Sequence, residues 1–408
     1  MFKIIKKLII IMFIFLLIGC KETNILEKEG YNFDDEFGWY VKNGAEANEI
    51  IINLTQNESS ISKSYKIDSK IKKITFIGDE DITYSNLDIY VNIRSSDLDI
   101  EFVNFNYYAG TGKIGLDGTE AIGATKINIS VKGSCSIKGG KGKNGTNGVS
   151  YNYNSFIEDS TPNNGLAGSA GENGCAAISG ENISIFVNTD SKLIITGGKG
   201  GNGGKGGDGQ GSKQNGNGSA GNGGNGATGG NGAYALKFSK SLSIQNNGIL
   251  MFVGGNGGEG GKGGHGGENK DTGVAEYADD GGNGGHGGAG GDGGVSIYSS
   301  SKNLPIIITG NEIVVKSGDG GNGGCGGDGG SSCRNEIDRI SLTNGGDPGN
   351  SGNGGNGGNV HNPILNCEIV CDSNYGKPGI GGSYGTPGKH PHKDPGVCGK
   401  NGENGVIR

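Results

Sequence analysis

Large apolar side chains are scarce in this chain: the residues AVILMFWYC make up 32% of 408, and there is one Trp. That share is below the usual value for a globular domain, so any hydrophobic core must be thin and elongated. There is no basic block, and the formal charge is −7; the electrostatic footprint of a nucleic-acid binder is therefore missing. The longest apolar run, Leu8 to Ile18, is too short to span a bilayer comfortably. Proline numbers only 8. Collagen, which needs a long proline-rich Gly-X-Y run, is thereby excluded.

What the chain has instead is glycine, 90 residues of it. From Gly254 the order is glycine, glycine, polar residue, with Asn256, Glu259, Lys262, His265 and Glu268 at the third place. After a link from Asn269 to Asp280 the pattern returns with Asn283, His286, Ala289 and Asp292. Three residues per turn is the repeat of the polyproline II helix, which rises about 3.1 Å per residue and leaves every backbone N–H and C=O without an internal partner. Glycine on two of three edges allows neighbouring helices to approach and exchange main-chain hydrogen bonds. The third edge carries the side chains. A flexible glycine-rich linker has no reason to keep such strict phase.

The N-terminus reads as an address. Lys3, Lys6 and Lys7 precede the apolar run, and Leu17-Ile18-Gly19-Cys20 follows it. This resembles a bacterial lipoprotein signal, although Ile18 stands where such signals usually carry a small residue. The resemblance implies that residues 1–19 are removed, that Cys20 is lipid-modified, and that the chain is held in the cell envelope at the outer membrane or cell surface. Losing three lysines takes the charge from −7 to −10. Seven cysteines remain, Cys135, Cys175, Cys325, Cys333, Cys367, Cys371 and Cys398. Disulfides are permitted outside the cytoplasm, but the odd count leaves one thiol over.

Residues 20–44 are assigned to a polar tether, and 45–118 to an N-terminal cap with the first β coils. Within the cap the spacing of Ile50, Ile51 and Leu54 predicts a helix from Ala45 to Leu54. Alternating apolar residues at Ile74 and Phe76, at Leu87 to Ile93 and at Leu98 to Phe102 predict short strands. Over 119–360 a repeat emerges once the glycine tracts are removed: a small residue and an aliphatic one, a strand, a turn, a second strand, then glycine. Its anchors are Ile122, Ile178, Leu236 and Ile297, spaced by 56, 58 and 61 residues. Self-similarity of this kind marks a solenoid. Each repeat is expected to be one rung, and each insertion to leave the same corner. The expected tips are Lys213 to Ser219, Asn269 to Asp280 and Ser331 to Asn344, with a less regular one around Tyr151 to Asn164. Residues 361–408, with five prolines and three cysteines, are assigned to a C-terminal cap.

The search for chemistry is short. G-x-G-x-x-G matches arise from glycine abundance alone and lack a strand-loop-helix context. Calcium-binding nonapeptides fit at Gly203 to Asp208, Gly287 to Asp292 and Gly323 to Asp328, but the apolar residue two places later is replaced by Gln210, Gly294 and Gly330. Asp208, Asp292 and Asp328 are therefore expected to be solvated. His265 with His286, and His390 with His392, lack further ligands at metal spacing, so neither a metal nor a cofactor is expected. Asp97, Asp99 and Glu101 share the outer face of one strand. They are the catalytic candidates if the chain cleaves polysaccharide, a reaction that needs two carboxylates roughly 5 to 9.5 Å apart. An ordinary charged face is the favoured reading.

The GGX tracts between Gly139 and Asn359 resemble protein polyglycine II bundles, found in phage tail-tip adhesins, small glycine-rich antifreeze proteins and glycine-rich bacterial surface proteins. The repeat without its insertions resembles a rung of a right-handed parallel β-helix, so the expected fold is all-β: a β-helix-like solenoid with inserted glycine-rich hairpins that, by the GGX resemblance, pack as a polyglycine II bundle. The GGX resemblance also implies recognition at the loop tips. The expected function is thus a non-enzymatic surface lipoprotein, an adhesin or binding scaffold for a glycan or protein, with Tyr277 and Arg334 as contact residues. Ice binding fits poorly with Lys, Glu and His on the third edge. The alternatives are a passive envelope component and a polysaccharide-active enzyme.

Overall fold

The computed structural model describes residues 31–34, 39–42, 49–55, 64–67, 72–85, 88–91, 97–109, 122–151, 162–213, 219–270, 280–332, 350, 352–367, 369, 371–389 and 395–408. Every regular element among them is a strand.

Two parallel sheets face each other across the core. The first begins with an antiparallel run, β1 (Tyr31–Asp34), β2 (Trp39–Lys42) and β3 (Glu49–Asn53). β1 and β2 lie within the stretch assigned to the tether. β3 replaces the expected helix: Ile50, Ile51 and Ile52 are all buried, and three successive β-branched residues favour the extended chain. From β3 the same sheet is parallel, through β5 (Lys73–Ile77), β8 (Asp97–Val103), β10 (Ile122–Lys132), β12 (Ile178–Val187) and β15 (Leu236–Asn246). Both β18 (Ile297–Ser299) and β19 (Ile306–Gly310) pair with β15, and β21 (Ile364–Leu365) pairs with β18. Of the remaining strands, β4 (Ser64–Ile67) pairs with β7 (Asp88–Val91).

The second sheet orders β6 (Thr83–Ser85), β9 (Asn106–Tyr108), β11 (Ser134–Lys138), β13 (Lys192–Thr196), β16 (Ile249–Val253), β20 (Ile313–Lys316) and β22 (Asp372–Asn374), all parallel. From β8 onward the rung strands alternate between the two sheets, except that β18 and β19 follow each other in the first, and this stacks rung on rung. The anchors of the sequence repeat fall in register, Ile122 beside Ile178, Leu236 and Ile297, and Ile364 adds a further member.

Inward side chains form columns. Ile100, Ile129, Ile185, Ile244 and Ile308 stack on one side, and Cys135, Leu193, Leu250 and Ile313 on the other. At the N-terminal end Phe105 stacks on Phe76, Phe102, Tyr84 and Tyr107, with ring centroids 5.0 to 5.9 Å apart. One column is interrupted by a polar residue: Asn246 follows Val131 and Val187 and is fully buried. Its Nδ2 donates to the carbonyls of Asn311 and Glu312 at 3.3 and 3.0 Å, and its Oδ1 accepts from Gly248 N–H at 3.2 Å. A turn that needs those groups paired explains the exception.

The first four glycine excursions leave the second sheet and rejoin the first at the same corner, and the fifth leaves β22 and ends at a bridge between Ile407 and Val360. Among the described residues there are five excursions, within 139–175, 197–233, 254–294, 317–360 and 375–407. The fifth occupies the segment assigned to a cap, and β21 and β22 add rung strands to it. At 254–294 the outgoing and returning tracts exchange bonds such as Gly291 N–H to Gly258 C=O, 2.8 Å. Successive excursions bond likewise, as in Gly257 N–H to Asp319 C=O at 2.8 Å. Outgoing tracts form one layer and returning tracts the other. The rungs impose the lateral spacing, since strands of a sheet lie about 4.8 Å apart.

Candidate functional site

The slab explains its own composition. In the triplet Asn256-Gly257-Gly258, Asn256 C=O accepts from Gly200, Gly257 N–H donates to Asp319, and Gly258 donates to Gly230 and accepts from Gly291. Three residues thus engage four other tracts. A Cβ on Gly257 would sit 1.9 Å from Gly291 O, and one on Gly258 1.9 Å from Gly201 O. Neither place admits a side chain.

At the slab's lateral edges the requirement relaxes. In the first outgoing tract Lys143, Thr146 and Val149 stand where the inner tracts carry Gly201, Gly204 and Gly207, because no further tract lies beyond among the described residues. The amides exposed there are capped by side chains: Lys143 N–H by Glu172 Oε2 at 3.3 Å and Thr146 N–H by Ser169 Oγ at 2.7 Å. The last outgoing tract uses another device. The places whose N–H would point outward are Pro378, Gly381, Tyr384 and Pro387; proline has no N–H, and the other two donate to Asn404 Oδ1 (2.9 Å) and Asn401 Oδ1 (3.2 Å). These devices blunt both edges against adding another chain, a problem every open sheet edge shares.

The third-place side chains correct the sequence reading. They cap the amide of the equivalent residue one excursion later. Asn164 Oδ1 accepts from Asn222 N–H, Asn222 from Asn283, Asn283 from Asn350 and Asn350 from Val397, each at 2.7 to 2.8 Å. Asp208, Asp292 and Asp328, expected to be merely solvated, accept from His265, Asn359 and Thr386 N–H. His265 and His286 accept through Nδ1 from Asp328 and Asn353 N–H at 3.2 and 2.9 Å. Asn, Asp and His recur because each holds an acceptor at the right reach.

The tips begin side by side at the far end of the slab. β14 (Ser212–Lys213) pairs with β17 (Asn269–Lys270), Asn269 N–H donates to Ser331 C=O at 3.0 Å, and Ser332 N–H to Lys389 C=O at 3.2 Å. Tyr277, Arg334, Cys20, His390 and His392 lie outside the described residues. The starting points of three tips are thereby aligned, while their contact residues are not placed.

Asp99 and Glu101 do fall on one outer strand face, as the alternation requires, with Asp97 on the same strand. Glu101 pairs with Lys132 Nζ at 2.6 Å and Lys73 Nζ at 3.8 Å and accepts from Thr75 Oγ1 at 3.5 Å. Asp99 accepts from Asn128 Nδ2 at 2.6 Å. These contacts make an ion-paired surface ladder in which each carboxylate already has partners.

Cys135, Cys325, Cys367 and Cys398 are free thiols. Burial pushes Cys135 and Cys367 up to about 11, the latter helped by neighbouring Cys371. Cys325 is held below the ordinary thiol value, chiefly by a hydrogen bond from Ser383. Among the described residues no group of three or more His, Cys, Asp or Glu could hold a metal ion, and no helix is long and apolar enough to cross a membrane.

No family model and no curated protein matches the chain. Among solved structures, the springtail antifreeze protein from Granisotoma rainieri, a bundle of nine polyproline type II helices whose crystal waters match the ice lattice, is 21% identical over 64% of this chain and 94% of its own. The TM-score of 0.15 is too low for that likeness to carry an argument about fold or function.

Proposed function

We propose that this chain is a lipid-anchored, non-enzymatic display scaffold of a bacterial cell envelope. Cys20 carries the lipid, a right-handed parallel β-helix sets the rung spacing, and the glycine hairpins form a polyglycine II slab. The slab holds loop tips that recognise a surface glycan or protein. The observation that supports this reading most is the alignment of tip origins at residues 212–213, 269–270 and 331–332 on a frame bonded in every triplet. Unequal loops on a repeated rigid frame are a usual seat of recognition.

Two measurements test it. Growth with an alkynyl fatty acid should label the wild-type chain and leave Cys20→Ser unlabelled; equal labelling would remove the anchor. Binding of the full-length chain to intact cells and to glycan arrays should fall at least tenfold in Tyr277→Ala with Arg334→Ala. Unchanged binding in that double variant would refute recognition through these residues. A chain that binds nothing would favour the passive spacer.

A further inference from the structure

The outer face of the first sheet carries a shallow groove of about 430 Å³. Its floor follows one row of the register, Asp99, Asn128, Ser184 and Ser243, all short side chains on successive rungs. Phe186 and Gln245 border it from the next outward row. Short residues beside long ones make the depression, which runs across the strands rather than along them.

The charges cluster at one end and cancel there, through Glu101 with Lys132 and Lys73. Toward the other end the lining is neutral. The side chains of Ser184, Ser243 and Gln245 have no hydrogen-bond partner among the described residues, and the row continues to Ile307, which is 61% exposed. A line of free hydroxyl and amide groups beside a phenyl ring and an isoleucine suits a ligand with many hydroxyls and apolar C–H faces. The lysine at the groove's charged end is paired with Glu101, and the one carboxylate without a cation, Asp99, is held by Asn128, so an anionic polymer meets no free cation in the lining.

We infer that this groove is a second binding site, for a neutral oligosaccharide laid along the stack of rungs. The sugar ring would lie against Phe186, and its hydroxyls would bond Ser184, Ser243, Asn128 and Gln245. The site is independent of the loop tips.

The test uses the full-length chain in mild detergent and titrates maltohexaose, cellohexaose and N-acetylchitohexaose, with polygalacturonate as the charged comparator. At least one neutral probe should bind, and Phe186→Ala should weaken it tenfold or more. Ser243→Trp, an exposed position where a large ring fills the groove, should abolish binding while thermal unfolding stays within a few degrees of wild type. A variant with residues 271–279 replaced by Gly-Ser should bind like wild type. The proposal is overturned if no neutral probe binds, if polygalacturonate binds in preference, if Ser243→Trp binds normally, or if the tip replacement alone removes binding. That last outcome would instead support recognition by the tips.

Discussion

Gly258→Ala is the sharpest perturbation of the slab. The added Cβ would sit 1.9 Å from Gly201 O and 2.6 Å from its carbonyl carbon. Both atoms belong to backbone, so relief requires a tract to move by about 1 Å or more, and overpacking of this kind costs about 1–3 kcal/mol. Movement also loosens Gly258 N–H to Gly230 C=O and Gly291 N–H to Gly258 C=O, both 2.8 Å. Each such bond contributes about 0.5–1.5 kcal/mol net. The sum, about 2–6 kcal/mol, corresponds to amide exchange faster by roughly 30-fold or more. Peptide-resolved hydrogen exchange should find it in 254–268, 281–294 and 197–211. Lys143→Ala, at the equivalent place on the edge tract, should leave those peptides unchanged. If Gly258→Ala exchanges at the wild-type rate, or if the wild-type tracts exchange as freely as an unfolded peptide, the close-packed slab is wrong.

Other outcomes follow from the same geometry. Asn246→Val matches the valines of the preceding rungs yet should destabilise by about 2–4 kcal/mol in chemical denaturation, because the Gly248 amide and the Asn311 and Glu312 carbonyls lose their partner. Replacing Pro378 and Pro387 by Ala together with Asn401→Ala and Asn404→Ala should reopen the slab edge, and sedimentation should detect concentration-dependent association that the parent chain lacks. In alkylation followed by mass spectrometry, Cys325 should reach half its maximal rate at a lower pH than a free thiol, because its lowered pKa leaves thiolate present there. Cys135, buried and raised to about 11, should react only on unfolding. Glu101→Gln should cost no more than about 1 kcal/mol, since Lys132 and Lys73 are 61% and 40% exposed and solvent screens the pair.

Local pattern made much of the architecture legible. The anchors Ile122, Ile178, Leu236 and Ile297 aligned on sequence alone because stacked rungs need the same side chain at the same inward place, and the structure pairs them. The fifth excursion escaped notice because its edge position needs only one glycine in three, which hides the GGX phase in Gly376-Lys377-Pro378-Gly379-Ile380. The helix expected at Ala45 to Leu54 failed for a different reason: a three-residue apolar run cannot by itself distinguish a buried strand from a helix face, and pairing of β3 with β2 and β5 decided it. The carboxylates Asp99 and Glu101 were legible as one outer face, but not their partners, since Lys132 and Asn128 come from the next rung.

Sequence by itself determined the repeat, the three-residue phase and the glycine on two edges, because these are consequences of backbone geometry that any single tract carries. It could not determine why the third place favours Asn and Asp. That preference satisfies an amide about sixty residues away, as Asn231 Oδ1 does for Asp292 N–H across 61 residues. Only the stacking of rungs brings such distant groups within hydrogen-bond reach, so the acceptor role of those side chains, the blunting of the slab edges and the groove across the rungs belong to the tertiary structure.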